Sequence, residues 1–172
     1  AKYSRGTQKY LYWLKAGVSR IYEVQLTRRS RLAFVASAEE VPLLKPARRV
    51  YCLPNGFDFP DSPPTHLRDS KKFIFFGSLY YRPNADGIRW LCQQIWPTII
   101  RHIPDAYLDI VGHGHKALGI DPPRGVTFHG FVDDLDALIK QAAALVVPLR
   151  IGGGTRIKIL EAWAKGLPVI ST

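Results

Sequence analysis

The sequence predicts an α/β fold, a parallel sheet with helices on its faces, and three observations carry that prediction. From residue 73 onward, short apolar runs rich in β-branched and aromatic residues alternate with amphipathic stretches long enough for helices. Four of those runs end in glycine-bearing turns, at Gly77-Ser78, Gly112-His113-Gly114, Gly130-Phe131 and Gly152-Gly153-Gly154. The 172 residues are 47% hydrophobic, which places the chain among globular proteins with one or two modest cores. Strands and helices in this alternation form right-handed crossover units, so the expected architecture is Rossmann-like, with ligands beyond the carboxyl ends of the strands.

Residues 7 to 29 read as an amphipathic helix with Leu11, Leu14, Val18 and Ile21 on one face, followed by a strand from Leu32 to Ala36. Ser37-Ala38-Glu39-Glu40 supplies an N-capped turn into a short helix that stops near Pro42 to Pro46. Arg49 to Leu53 is a second strand, closed by the turn Pro54-Asn55-Gly56. From Phe59 to Lys72 the chain is polar and carries Pro60, Pro63 and Pro64, the composition of an extended linker.

The alternation proper starts with a strand from Phe73 to Phe76. A helix from Asn84 to about Arg101 turns Ile88, Leu91, Ile95 and Ile99 inward, with Pro97 as a kink. Strands follow at Tyr107 to Val111 and Val126 to Phe128. The next helix, Asp133 to Ala142, sets Asp133, Asp134 and Asp136 in its first turn, where the helix dipole favours negative charge. A buried strand from Ala144 to Leu149, a helix from Thr155 to Lys165 and a strand from Leu167 to Ile170 complete the series.

The stretch from Gly152 to Glu161 carries the chemistry. Consecutive glycines let main-chain N–H groups approach a ligand closely. A helix starting near Thr155 adds its unpaired N–H groups and the positive end of its dipole, which favours a phosphate there. Gly154, Lys158 and Glu161 share one face of that helix, and Ile157, Leu160 and Ala164 another that should meet the sheet. Arg156 can neutralise diphosphate oxygens in bidentate fashion and Lys158 as a point charge. Glu161 suits the vicinal hydroxyls of a ribose. The plainer reading of the same residues is a tight turn followed by an i, i+3 surface pair of Lys158 and Glu161.

The net charge of +10 admits nucleic acid, an anionic membrane surface or small anions as partners. Much of the excess, Arg28, Arg29, Arg31, Lys45, Arg48 and Arg49, lies before residue 50, apart from the glycine-rich turn. No nucleic-acid recognition motif is present, so no nucleic acid is expected, whereas basic residues gain about 1 kcal/mol each near anionic lipid. No apolar run approaches the length of a membrane span, and the N-terminus lacks the apolar core of a signal peptide. Cys52 and Cys92 form neither a disulfide framework nor a zinc motif, which fits a reducing cytoplasm. The absence of Met and a last predicted strand without a covering helix raise the expectation of missing residues on both sides.

The order of motifs resembles the donor-binding domain of GT-B glycosyltransferases, in the group-one family of retaining enzymes. The resemblance rests on Pro54-Asn55-Gly56-Phe57-Asp58, on Phe76-Gly77-Ser78-Leu79 with Arg82-Pro83-Asn84, and on Ile110-Val111-Gly112-His113-Gly114. It continues through Val126 to Val132, Gly152 to Glu161 and Ala162 to Ile170, and spans residues 30 to 172. It implies an incomplete donor domain at 73–172, a linker at 54–72, and at 1–53 a remnant of the N-terminal acceptor domain. It further implies donor contacts at Gly77, Ser78, Arg82, Asn84, Gly112, Gly130, Phe131, Gly153, Gly154, Thr155, Arg156, Lys158 and Glu161, with His129 to Phe131 beside the base.

Glu161 matches the second glutamate of the family's signature pair. Gly153 stands where the first would be, so main-chain N–H groups there would serve sugar or phosphate. The implied reaction transfers a sugar from a nucleotide diphosphate donor to a polysaccharide, lipid or other acceptor. Arg156 and Lys158 would stabilise the leaving group, with no metal and no cofactor. The acceptor site would come from the N-terminal domain, and the isolated chain would bind donor weakly without turnover. Two rivals stay open on the residues alone. One is a nicotinamide dehydrogenase domain, whose ribose-binding acid would stand at the end of the next strand. The other is a non-enzymatic basic domain for RNA or membrane.

Overall fold

The computed structural model describes residues 7–44, 49–61, 69–152 and 156–172, and these fall into two compact units, residues 1–55 and 56–172. In the first unit, helix α1 (Thr7–Arg29) runs over the expected span. Strands β1 (Ala33–Val35) and β2 (Val50–Cys52) pair in parallel, with a 3₁₀ helix (Ala38–Leu44) between them. That helix includes Pro42 and ends at Leu44, within the stretch expected to stop it. Ser37 Oγ accepts from Glu39 N–H at its start (3.3 Å). Leu11, Leu14, Val18 and Ile21, the apolar positions of α1, are exposed. Two three-residue strands and a seven-residue 3₁₀ helix offer too little apolar surface to cover a helix of 23 residues.

The second unit is a five-stranded parallel sheet. Its elements are β3 (Asp69–Phe76), α2 (Arg82–Trp90), α3 (Trp96–His102), β4 (Tyr107–Val111), β5 (Val126–Gly130), α4 (Leu135–Gln141), β6 (Ala142–Val147), α5 (Ile157–Ala164) and β7 (Val169–Ser171). The strand order is β5-β4-β3-β6-β7. The chain therefore moves one way across the sheet from β3 to β5, then returns to place β6 on the other side of β3. β3 starts at Asp69, so residues 69–72, expected in the linker, are already strand. Lys72 pairs with Tyr107 of β4, and a polar start is permitted because the first residues of this central strand are still exposed.

Alternate residues of β3 feed the two faces. Phe75 joins Ile88, Leu91, Trp96, Leu108 and Ile110 on one side, while Ile74 and Phe76 join Ile139, Leu145, Val147 and Ala162 on the other. Asp134 caps α4, its carboxylate accepting from Ala137 N–H (2.9 Å). On α5 the buried positions are Ala162 and Ala164, with Ile159 packed against the core, while Ile157 is 53% exposed. Of the expected inward residues Ala164 is buried, Leu160 half-buried and Ile157 exposed, and Ile159 and Ala162 meet the core instead.

The long helix predicted from Asn84 is broken at Leu91–Ile95 into a π turn, in which Trp96 N–H donates to Leu91 O. Pro97 has no N–H for the carbonyl one turn back, and the wider turn ahead of it accommodates the missing donor. Ile88 and Leu91 are buried as expected, with Ile95 and Ile99 half-buried against the same core. Arg150, just beyond β6, ties α2 in place through paired bonds to Asp86 (2.9 and 3.1 Å) and stacks over Trp90 at 5.1 Å.

Trp96 anchors this side of the unit. Its ring is 1% exposed and meets Phe73 edge-on at 6.3 Å, and its Nε1–H donates to Arg124 O (2.8 Å). Trp96→Ala is expected to lower the unfolding free energy by about 3 to 5 kcal/mol, since it leaves a large cavity and orphans that carbonyl. Urea denaturation followed by far-UV circular dichroism checks this, with Trp96→Phe expected to lose less than half as much.

Candidate functional site

β3 and β6 are neighbours whose onward connections lead to opposite halves of the sheet, so a crevice opens at their carboxyl ends. Gly77 follows β3 with φ +140°, a conformation that strains any L side chain, and its N–H donates to Val111 O (2.9 Å). A Cβ at this position would lie 2.9 Å from Lys158 Nζ and 3.0 Å from Asn84 Nδ2. The volume of a side chain is thus already filled by an ammonium and an amide. Gly112 ends β4 with φ +142°, and a Cβ there would sit 2.2 Å from Gly77 O, so the two turns touch main chain to main chain.

The other turns join the same rim. Gly112 N–H donates to Gly130 O (2.6 Å), and Leu79 N–H to His113 O (2.7 Å). Gly152 lies against Pro83 and the Tyr81 hydroxyl at the start of α2, each 3.9 Å from where its Cβ would be. Gly153, Gly154 and Thr155 lie outside the described residues. A cleft of about 270 Å³ runs between Gly77, Ser78, Gly112, His113, Phe131 and Val132. One wall is aromatic, with the His113 and Phe131 rings stacked 5.2 Å apart at 8°.

Lys158 stands in the first turn of α5 and reaches the rim from the β6 side. Its Nζ donates to Asn84 Oδ1 (3.1 Å), and Asn84 Nδ2 donates in turn to Ser78 O (2.8 Å). The same Nζ lies 4.1 Å from the centre of the Phe75 ring. Burial, and after it the neighbouring Arg156 guanidinium, pushes the ammonium down to about 8 from its ordinary 10.5. Asn84 is 5% exposed and neutral, so it orients the ammonium without cancelling its charge. This part of the rim can therefore hold an anion against a fixed, half-desolvated cation.

Arg156 occupies the N-cap of α5, its guanidinium donating to Gly152 O (3.3 Å). Arg82 is the first residue of α2 and is exposed. Glu161 lies one turn beyond Lys158, and its Oε1 accepts from Lys165 Nζ (3.1 Å), which also contacts Asp136. The i, i+3 pair of Lys158 with Glu161 is not what forms, since each side chain takes another partner. Gly77, Ser78, Gly112 and Phe131 thus line one cleft, with Asn84 and Lys158 against Gly77 and Gly130 bonded to Gly112. Sequence reasoning did not find the Lys158–Asn84–Ser78 chain, whose members are 74 and 6 positions apart. β4 ends at Val111 and is followed by Gly112, so the terminal carboxylate of a nicotinamide site has no counterpart there.

The family model for group 1 glycosyl transferases matches residues 70–172, more than half of the chain. An uncharacterized 44.6 kDa protein of the cps region of Klebsiella pneumoniae is 22% identical over 109 residues, covering 58% of this chain and 28% of that protein. Among solved structures, TarM superposes with a TM-score of 0.72 at 13% identity, over 89% of this chain and 32% of TarM. The pneumococcal O-GlcNAc transferase GtfA, in complex with UDP and GlcNAc, does so at 0.63 and 15%, over 87% of this chain and 31% of GtfA. These structural likenesses establish a shared GT-B donor-domain fold, and the chain spans about a third of the length of either protein. By its family match and its fold, the chain belongs to the group 1 glycosyl transferases.

Proposed function

We propose that this chain carries the donor site of a glycosyltransferase, which moves a sugar from a nucleotide diphosphate to a glycan or lipid-linked acceptor with retained anomeric configuration. The observation that carries this reading is the Lys158 ammonium, held by a neutral amide in the turn after β3, at the switch in strand order. An anion placed there meets a cation with no carboxylate to displace. The diphosphate lies against Gly77, Ser78, Asn84, Lys158 and Arg156, with Arg82, Gly153, Gly154 and Thr155 completing that end. The nucleoside extends along Gly112, Gly130 and Phe131, and Glu161 accepts from the ribose hydroxyls after parting from Lys165.

As the bond to the sugar breaks, negative charge grows on the departing diphosphate. Arg156 and Lys158 are fixed beforehand where that charge appears, which lowers the barrier without a bound metal. The acceptor is supplied to the crevice by residues outside this chain. Support for a polysaccharide product comes from the cps-region relative, and support for a uridine donor from the UDP held by GtfA and by a TarM variant from S. aureus. Among the described residues no helix is long and apolar enough to cross a membrane. The basic residues of the first unit suit a cytoplasmic enzyme that touches an anionic membrane face.

Titration of the full-length enzyme with UDP-, GDP- and ADP-sugars by calorimetry is expected to single out one base, and Glu161→Ala to weaken that donor about tenfold. Undiminished affinity in Glu161→Ala would refute the ribose role, and absence of binding to all three donors would refute the reading. The diphosphate favours the charged form of Lys158, whose ammonium is pushed down to about 8. Affinity should therefore be full below that pH and fall as pH rises through it, by about tenfold at one unit above. Lys158→Met should bind weakly and with a flat pH profile over the same range. Transfer activity should persist in EDTA, and its loss with recovery on added Mg²⁺ would overturn metal independence.

A further inference from the structure

β5 is an edge strand, and its pairing with β4 slips by one residue near its end. Ile110 faces Phe128 but Val111 faces Gly130, so His129 is an extra residue, a β-bulge. Beneath it β4 carries Asp109, 7% exposed in the middle of the otherwise apolar strand Tyr-Leu-Asp-Ile-Val. Asp109 Oδ1 lies 2.6 Å from His129 Nε2. Its Oδ2 lies 3.2 Å from Lys72 Nζ, an ion-pair distance without hydrogen-bond geometry. Lys72 is held in turn by Gln141 Oε1 (3.0 Å) at the end of α4.

A buried carboxylate contributes little net stability, because its desolvation cancels most of its attraction to its partners, whereas it can select one register of a strand over another. Here register is the quantity at risk. An edge strand is held from one side only, and removal of the bulge would shift the end of β5 by one residue and turn its side chains to the opposite face. The residues that follow His129 are those that build the nucleoside wall. Gly130 O accepts from Gly112 N–H, and Phe131 stacks on His113.

We infer that the Asp109–His129 pair is a positioning device that locks the β5 bulge and thereby sets the height of the Gly130–Phe131 wall against which the nucleoside packs. This deepens the donor-site reading and rests on it. Neither side chain touches the diphosphate end, where Gly77, Asn84 and Lys158 are placed by β3, α2 and α5. The pair should therefore govern nucleoside recognition and leave the phosphate end alone.

The test measures, on full-length protein, the dissociation constants of inorganic pyrophosphate and of the tightest-binding member of UDP, GDP and ADP. His129→Leu keeps volume and removes the bond, and is expected to weaken the nucleotide about tenfold while pyrophosphate changes by less than about twofold. His129→Gln, which returns an N–H near the position of Nε2, should recover most of the nucleotide affinity. Asp109→Asn retains the shape of the buried site should His129→Leu fail to fold, and is expected to show the same nucleotide-selective loss. Equal weakening of both ligands, or native nucleotide affinity in His129→Leu and Asp109→Asn, would overturn the inference alone. Native protein that binds neither ligand would overturn the donor-site reading and the inference with it.

Discussion

The insertion of β6 beside β3 is the constraint on which the rest of the second unit depends. Ile74 and Leu145, paired across these strands, are both fully buried, so the junction lies at the centre of the sheet. It brings together two helix starts that are far apart in sequence, α2 from one crossover and α5 from the other. Each contributes one half of the Asn84–Lys158 contact. The cost is an ammonium drawn out of water against the face of Phe75, only partly compensated by the ring and one amide oxygen. A rim that holds a cation at such a cost gains in proportion when an anion arrives, because the anion meets a charge that water does not screen.

Three other cations among the described residues are treated differently, whereas Arg89 donates to the Ala117 and Leu118 carbonyls. Lys72 sits against Asp109, Lys165 against Asp136 and Glu161, and Arg150 against Asp86. Each of these pairs ties two elements together and is electrically nearly closed. Lys158 is matched with an amide, which fixes direction without supplying countercharge. What sets Lys158 apart is its place at the switch in strand order, next to Gly77, together with its neutral partner.

Much of the fold was legible because periodicity and punctuation agree. β4 lies at the expected Tyr107–Val111, α1 over its expected span, and Gly77, Gly112 and Gly130 at the ends of β3, β4 and β5. What escaped sequence reading depends on partners distant along the chain. The polar start of β3 is held by pairing with β4 and β6, a support that Asp69-Ser70-Lys71-Lys72 does not announce. The inward stripe of α5 depends on how the helix rests on the sheet, which spacing within the helix does not determine. Lys158 was recognisable as a cation near a phosphate turn, but its amide partner lies in another crossover. The bulge at His129 left a trace in the sequence, a carboxylate inside an apolar strand. Its meaning required the register of β5.

The π turn at Leu91–Ile95 has a consequence for descent as well as for geometry. A π turn holds about one residue more than the α turn it replaces, so every side chain beyond it is rotated by roughly 100° relative to an unbroken helix. Trp96 owes its inward direction to that extra residue. A relative that lacks the π turn must either be one residue shorter between Trp90 and Trp96 or present a different side chain to the core. An alignment forced through this helix without a gap would equate residues that point about a quarter-turn apart.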